Sequence, residues 1–167
     1  MSEPLVSVLL PAYNAESTLP AALESIRRQR LARFECVVVD DGSTDATRAI
    51  AERVASRDSR VRVLTIAHAG IVAALEAGLD ACRAPFVARM DADDVAHRDR
   101  LASQLRALEA RPDLAGVGCH VRMFPRGRLT AGRLAYERWL NSLRDEQDVL
   151  RYRLVECPIA HPSLFVR

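Results

Sequence analysis

Lysine is absent from this chain, and all 24 of its basic residues are arginine. Schiff-base chemistry and the lysine of a P-loop are therefore excluded, and any side-chain cation for a phosphate must be a guanidinium, which suits bidentate contacts. The Gly-x-Gly-x-x-Gly turn of a dinucleotide fold is missing too; Pro11-Ala12-Tyr13-Asn14 stands after the first apolar run instead. Gly42-Ser43 lacks the flanking residues of a nucleophile elbow. The cysteines (Cys36, Cys82, Cys119 and Cys157) are too far apart for a Cys-x-x-Cys zinc site, so reduced thiols and a cytosolic setting are expected. No run approaches the roughly eighteen apolar residues of a membrane span. Met1-Ser2-Glu3-Pro4 lacks a basic segment followed by an apolar stretch, so no signal peptide is expected. A net charge of +2 is too small to argue for nucleic acid.

What is present is a hydrophobic content of 49%, enough for a sizeable core, in a length of 167 residues that fits one domain. Apolar runs alternate with helical periodicity. Leu5 to Leu10, Phe34 to Val39, Val61 to Ile66 and Phe86 to Met90 read as buried strands. Helices are expected from Leu19 to Arg30, from a Ser43 or Thr44 cap to about Ser56, from Gly70 to about Cys82, and from Arg98 to Arg111. Further on, Leu114 to Met123 reads as a strand, Pro125 to Arg133 as a basic loop, Leu134 to Leu154 as one helix, and Ser163 to Val166 as the start of a strand. This order predicts an α/β fold: a mostly parallel sheet with helices on both faces.

Ligands of such sheets sit beyond the carboxyl ends of the strands. Tyr13-Asn14, Asp40-Asp41 and Asp91 to Asp93 each follow a strand, so they are expected to meet on one edge. Met90-Asp91-Ala92-Asp93-Asp94 is the most telling stretch, with three carboxylates within four residues. Like charges this close resist ionisation, and a hard divalent cation, Mg2+ or Mn2+, relieves the repulsion. The plainer reading is a polar loop with a helix cap at Asp94.

Three blocks together resemble the family-2 glycosyltransferases: Val6 to Asn14, Val38-Val39-Asp40-Asp41-Gly42-Ser43-Thr44-Asp45, and Ala88-Arg89-Met90-Asp91-Ala92-Asp93-Asp94. The resemblance covers the nucleotide-binding half of a typical member. It implies a GT-A (Rossmann-like) fold, a nucleotide-sugar donor that is most often UDP-linked, and inversion by one in-line displacement. By matching positions, Pro11, Tyr13, Asn14, Asp40, Asp41, Arg89, Asp91 and Ala92 form the nucleotide site. Asp41 contacts the pyrimidine, and Asp91 and Asp93 hold the metal. Glu76 stands where the family usually has Asn. The family's catalytic base follows a His-Pro-Ser segment, here His161-Pro162-Ser163, so residues 1–167 are expected to be a donor-binding domain with the base beyond Arg167.

Several residues carry two readings. Arg89 contacts donor phosphate or pairs with the acidic cluster. Tyr13 is a wall for the base or ordinary packing. His161, a weak candidate, approaches the leaving group or is structural. His68-Ala69-Gly70 is expected near the donor. Arg126, Arg128 and Arg133 form a solvated loop or touch the acceptor or anionic lipid at the inner membrane face. The acceptor, whether glycan, lipid or another hydroxyl compound, is not named by the sequence. The rival to an enzyme is a non-catalytic nucleotide-sugar-binding module. A nucleotidyltransferase is weaker, for want of a Gly-rich phosphate loop and a lysine.

Overall fold

Every residue of β1 (Val6–Ala12) is buried, as is every residue of β2 (Phe34–Asp41). Strands covered on both faces are mostly apolar, which is why these segments read as Val- and Leu-rich runs, with polar Ser7, Glu35, Asp40 and Asp41 toward their ends. A computed structural model describes residues 3–167; the expectation attached to Met1 and Ser2 lies outside the described residues. β1 pairs in parallel with β2 on one side and with β4 (Phe86–Arg89) on the other, and β3 (Val61–Ile66) flanks β2. Two short strands, β5 (Gly116–Val117) and β6 (Phe165–Val166), complete a six-stranded sheet in the order β3-β2-β1-β4-β6-β5. β6 runs antiparallel to both neighbours, so the sheet is mostly parallel, as expected.

The alternation of side chains along β1 divides the core. Val6, Val8, Leu10 and Ala12 face α1 (Leu19–Arg27), α2 (Thr47–Ala55) and α4 (Arg100–Ala110), meeting Leu23, Ala51 and Leu105. Leu9 points the other way, with Val37 and Val39 against Ala74 of α3 (Ile71–Ala81). That helix lies very close to the sheet. A Cβ added at Gly78 would sit 2.2 Å from Leu9 Cδ1 and 2.7 Å from Val39 Cγ2. At the amino edge of the sheet, Glu35 is buried, which alone would raise its pKa. Donors from Ser7 Oγ, Arg62 and the Arg83 amide outweigh that and hold the carboxyl below its ordinary range.

The carboxyl-terminal half departs from expectation in two places. Leu114 to Met123 forms a strand only at Gly116–Val117. Beyond it the backbone is bonded by side chains rather than by a strand. The Val121 amide donates to Asn141 Oδ1 at 2.9 Å, Asn141 Nδ2 returns a bond to the Val121 carbonyl, and the Met123 amide donates to Glu137. The helix expected over Leu134 to Leu154 is two, α5 (Ala131–Leu140) and α6 (Glu146–Tyr152). Asn141 ends the first, and Asp145 caps the second by accepting the Asp148 amide at 2.9 Å.

Candidate donor site

The order β3-β2-β1-β4 reverses direction between β1 and β4, and ligands of open α/β sheets bind outside the strand ends at such a point. In the register, Ala12 lies opposite Asp40 and Leu9 opposite Arg89, and the Met90 amide extends the pairing to the Leu9 carbonyl. The turns after β1, β2 and β4 therefore open on one edge.

Six hydrogen bonds stitch the first two turns together. The Asn14 amide donates to Ser43 Oγ at 3.1 Å, and Asn14 Oδ1 accepts from the Thr44 amide at 2.9 Å. The Ala15 amide meets Thr47 Oγ1 at 2.7 Å. The Glu16 amide donates to Asp45 Oδ2 at 3.1 Å, and the Ala46 amide donates to Glu16 Oε2 at 3.0 Å. Asn14 holds a left-handed φ of 47°, which Asn tolerates better than most residues. This use of Ser43 and Thr44 explains why neither caps α2. That helix starts at Thr47, whose amide donates to Asp45 Oδ1.

Asp41 is 3% exposed, and both its oxygens accept protein donors. Ala69 N lies at 2.8 Å, Gly70 N at 2.9 Å and His68 Nδ1 at 2.9 Å. The Ala69 amide is the largest cause of a carboxyl held below its ordinary range; burial opposes it, and Gly70 and His68 add to it. The His68 ring stacks on Tyr13, centroids 4.0 Å apart and planes at 17°. Gly42, at φ 67°, lies against His68; a Cβ there would come within 2.7 Å of the His68 amide nitrogen. Tyr13 remains 46% exposed, so the stacked pair presents an open aromatic surface at the edge. Asp40 is buried and accepts the Ser43 amide within its own turn. Pro11 and Ala92 are buried too, Ala92 within the main core.

The turn after β4 brings Asp91, Asp93 and Asp94 together, with one carboxylate oxygen of each within 4.8 Å of the others. Asp91 is gripped by both terminal nitrogens of Arg89, at 2.7 and 2.5 Å. A carboxylate offers about four acceptor positions, so this fork leaves each oxygen a free lone pair. Asp94 is pushed up to about 6, by burial first and then by Asp91 and Asp93, with Arg100 and Arg89 offsetting part of the rise. α4 begins six residues after Asp94, so Asp94 does not cap it. An all-oxygen donor set whose charges repel matches what a hard divalent cation requires. Asp94 stands with Asp91 and Asp93, the two residues expected from the sequence to hold the metal. Its signal was its place as third carboxylate in the run.

Beside this turn lies a cleft of about 900 Å3, whose lining includes Asp93, Asp94, His120, Arg122, Phe124, Arg133 and Tyr136. His161 sits exposed on a short 3-10 turn and does not line this cleft, although Pro162 and Ser163 do. His120 and Arg122 had no signal in the sequence, because the bend that turns them inward is set by Asn141 and Glu137.

The mostly parallel sheet with a carboxylate-bearing turn at its switch point has the GT-A fold, which it shares with solved glycosyltransferases. The chain belongs to glycosyl transferase family 2, whose model matches residues 7–167. It is 37% identical over 114 residues to the putative glycosyltransferase EpsH of Bacillus subtilis, covering 68% of this chain and 33% of that protein. It is 36% identical over 106 residues to WfgD of Escherichia coli, a UDP-Glc:alpha-D-GlcNAc-diphosphoundecaprenol beta-1,3-glucosyltransferase, covering 63% and 41%. The mannosyltransferase PcManGT of Pyrobaculum calidifontis, solved with GDP-Man and Mn2+, superposes with a TM-score of 0.64 at 30% identity, over 73% of this chain and 37% of that one. The matched part of the chain thus spans 33% to 41% of these relatives' length. No helix of the described residues is long and apolar enough to cross a membrane.

Proposed function

We propose that residues 1–167 are the donor-binding domain of an inverting glycosyltransferase that uses a UDP-linked sugar and Mg2+ or Mn2+. The observation that carries this reading is the convergence of the Asp91–Asp93–Asp94 cluster with the Tyr13–His68 stack on one sheet edge. The nucleobase packs on the exposed aromatic pair. Asp41 fixes His68 and the loop behind it, and the acceptor position left on Oδ1 meets the pyrimidine. Arg89 orients Asp91 and screens its charge. Asp91, Asp93 and Asp94 would hold the ion, which when bound supplies positive charge to the diphosphate as it leaves.

In the transfer, an acceptor oxygen bonds to the anomeric carbon as the bond from that carbon to the diphosphate oxygen breaks. The electron pair departs with the nucleoside diphosphate, and the hydroxyl proton passes to a base. Among the described residues lining the cleft, the carboxylates are Asp93 and Asp94, both assigned to the ion, so the base is placed outside this set. UDP as donor nucleotide accords with the activity named for WfgD, while PcManGT was solved with GDP-Man. Calorimetric titration with UDP and with GDP, each with and without Mn2+, tests both points. Metal-dependent heat with UDP is expected. Folded protein giving no heat with either nucleotide overturns the reading, and tighter GDP binding replaces the base assignment.

A further inference from the structure

Behind the acidic turn runs a closed ring of hydrogen bonds whose hub is Arg89, the last residue of β4. The Arg89 amide donates to the Leu164 carbonyl at 2.9 Å, and the Arg89 carbonyl accepts from Arg100 Nη2 at 2.7 Å. Arg100 Nε donates to Gln104 Oε1 at 3.0 Å, and Gln104 Nε2 donates to the Ser163 carbonyl at 2.8 Å. Ser163 and Leu164 are adjacent, so the ring closes. Arg100 and Gln104 stand four residues apart on one face of α4. From the same hub the Arg89 side chain grips Asp91. The far end of the turn has its own anchors: the Ala96 amide donates to Ser25 Oγ at 3.0 Å, and Gln29 Nε2 donates to the His97 carbonyl at 2.8 Å.

A ring of this kind is costly for a part that only fills space. Arg100 is 9% exposed and Gln104 4%. Burial disfavours the Arg100 charge, and the two hydrogen bonds of its side chain go to neutral oxygens rather than to a carboxylate. An apolar side chain would occupy the same volume at lower cost. A planar guanidinium can instead fix two acceptors at once. One of them is the carbonyl of Arg89, two residues before Asp91. We propose that Arg100 and Gln104 are positioning residues for the metal: without touching the ion, they hold the end of β4 where Asp91 meets Asp93 and Asp94. This inference rests on reading the acidic turn as the site of the ion. Arg100 also acts on Asp94 through its charge, and that effect alone predicts the reverse: taking a cation away from the turn would strengthen its hold on Mn2+.

Calorimetric titration of UDP into the full chain, in Mn2+ and in EDTA, reads the gain in affinity that the ion adds. Gln104→Met, Arg100→Lys and Arg100→Met should each cut that gain by about tenfold, the usual cost of removing a group that orients a metal ligand. UDP binding in EDTA, set by the Tyr13–His68 stack, should stay at the wild-type value. Arg100→Lys separates position from charge, because an ammonium keeps the charge and cannot span both acceptors as the planar fork does. Circular dichroism and a thermal melt set a temperature at which each variant is folded. If the Arg100 variants do not fold, Gln104→Met, which changes no charge, carries the test. A lower Tm with an undiminished Mn2+ gain makes the ring purely structural and overturns the proposal. So does a larger gain in Arg100→Met, or a loss of equal size in EDTA. Wild-type protein that binds UDP equally well in Mn2+ and in EDTA overturns the metal reading itself, so the two failures are distinguished.

Discussion

The ring of Tyr13 lies flat on that of His68, 4.0 Å away, although the two are far apart in sequence. His68 is held from behind by Asp41, and Tyr13 by the turn that Asn14 ties to Ser43 and Thr44. A flat, half-exposed pair of rings anchored on two strands is suited to a planar ligand.

Replacing either ring should therefore weaken nucleotide binding whether or not metal is present. Base–aromatic stacking contributes about 1–3 kcal/mol by alanine substitution. Tyr13→Ala and His68→Ala are each expected to raise the Kd for UDP by roughly tenfold or more, a step of about 1.4 kcal/mol. Calorimetry in EDTA and in Mn2+ should show similar losses. A loss confined to the Mn2+ condition would place the base elsewhere.

The acidic turn predicts the opposite pattern. Asp93→Asn should abolish the Mn2+ dependence of UDP binding and leave the fold intact. Because it removes one of three mutually repelling charges, it should also leave metal-free protein as stable as wild type or slightly more so. A thermal melt in EDTA checks this. A marked fall in Tm would make Asp93 a structural residue.

Asp58 predicts the acid response. It accepts bonds from Arg60, the largest cause of its lowered pKa, and from Arg27; burial works against them. Its carboxyl in the folded protein lies well below the ordinary 3.8. A group depressed on folding stabilises fully above its unfolded value and loses that contribution as pH falls toward the folded one. Wild-type stability should therefore decline as pH drops below about 4. Asp58→Asn should cost about 1–2 kcal/mol at neutral pH, as expected for charged hydrogen bonds that are partly exposed. It should also show a shallower decline in acid, measured by urea unfolding across pH.

Gly78→Ala sets two effects against each other. Helix propensity favours alanine by about 1 kcal/mol. The added carbon would sit 2.2 Å from Leu9 Cδ1, and overpacking a tight core costs about 1–3 kcal/mol. Packing should win, with a net loss of stability in chemical denaturation. A gain would show that α3 can move off the sheet.

Much of the parallel sheet was legible because β1 and β2 are buried on both faces and their apolar runs have few rival readings. The acidic turn was legible because three carboxylates in so short a span need an external cause. Local sequence could not reveal features created by distant side chains. Asn141 diverts Val121 from a ladder across twenty residues, and Asp41 reaches His68 across twenty-seven. The break after Leu140 was hidden because Asn141 through Asp145 sit inside an otherwise helical pattern, and their capping depends on where α5 and α6 must go. The bonds by which the Asp41 oxygens hold residues 68–70 were likewise beyond the reach of local sequence.

The lacing between residues 14–16 and 43–47 makes those two segments one interchangeable cassette. A chimera that imports only one of them from a relative would inherit half of each bonded pair and lose Tyr13's footing. Importing both together would carry the seat of the base across intact. Efforts to retune nucleotide preference in this scaffold should therefore vary the two loops jointly.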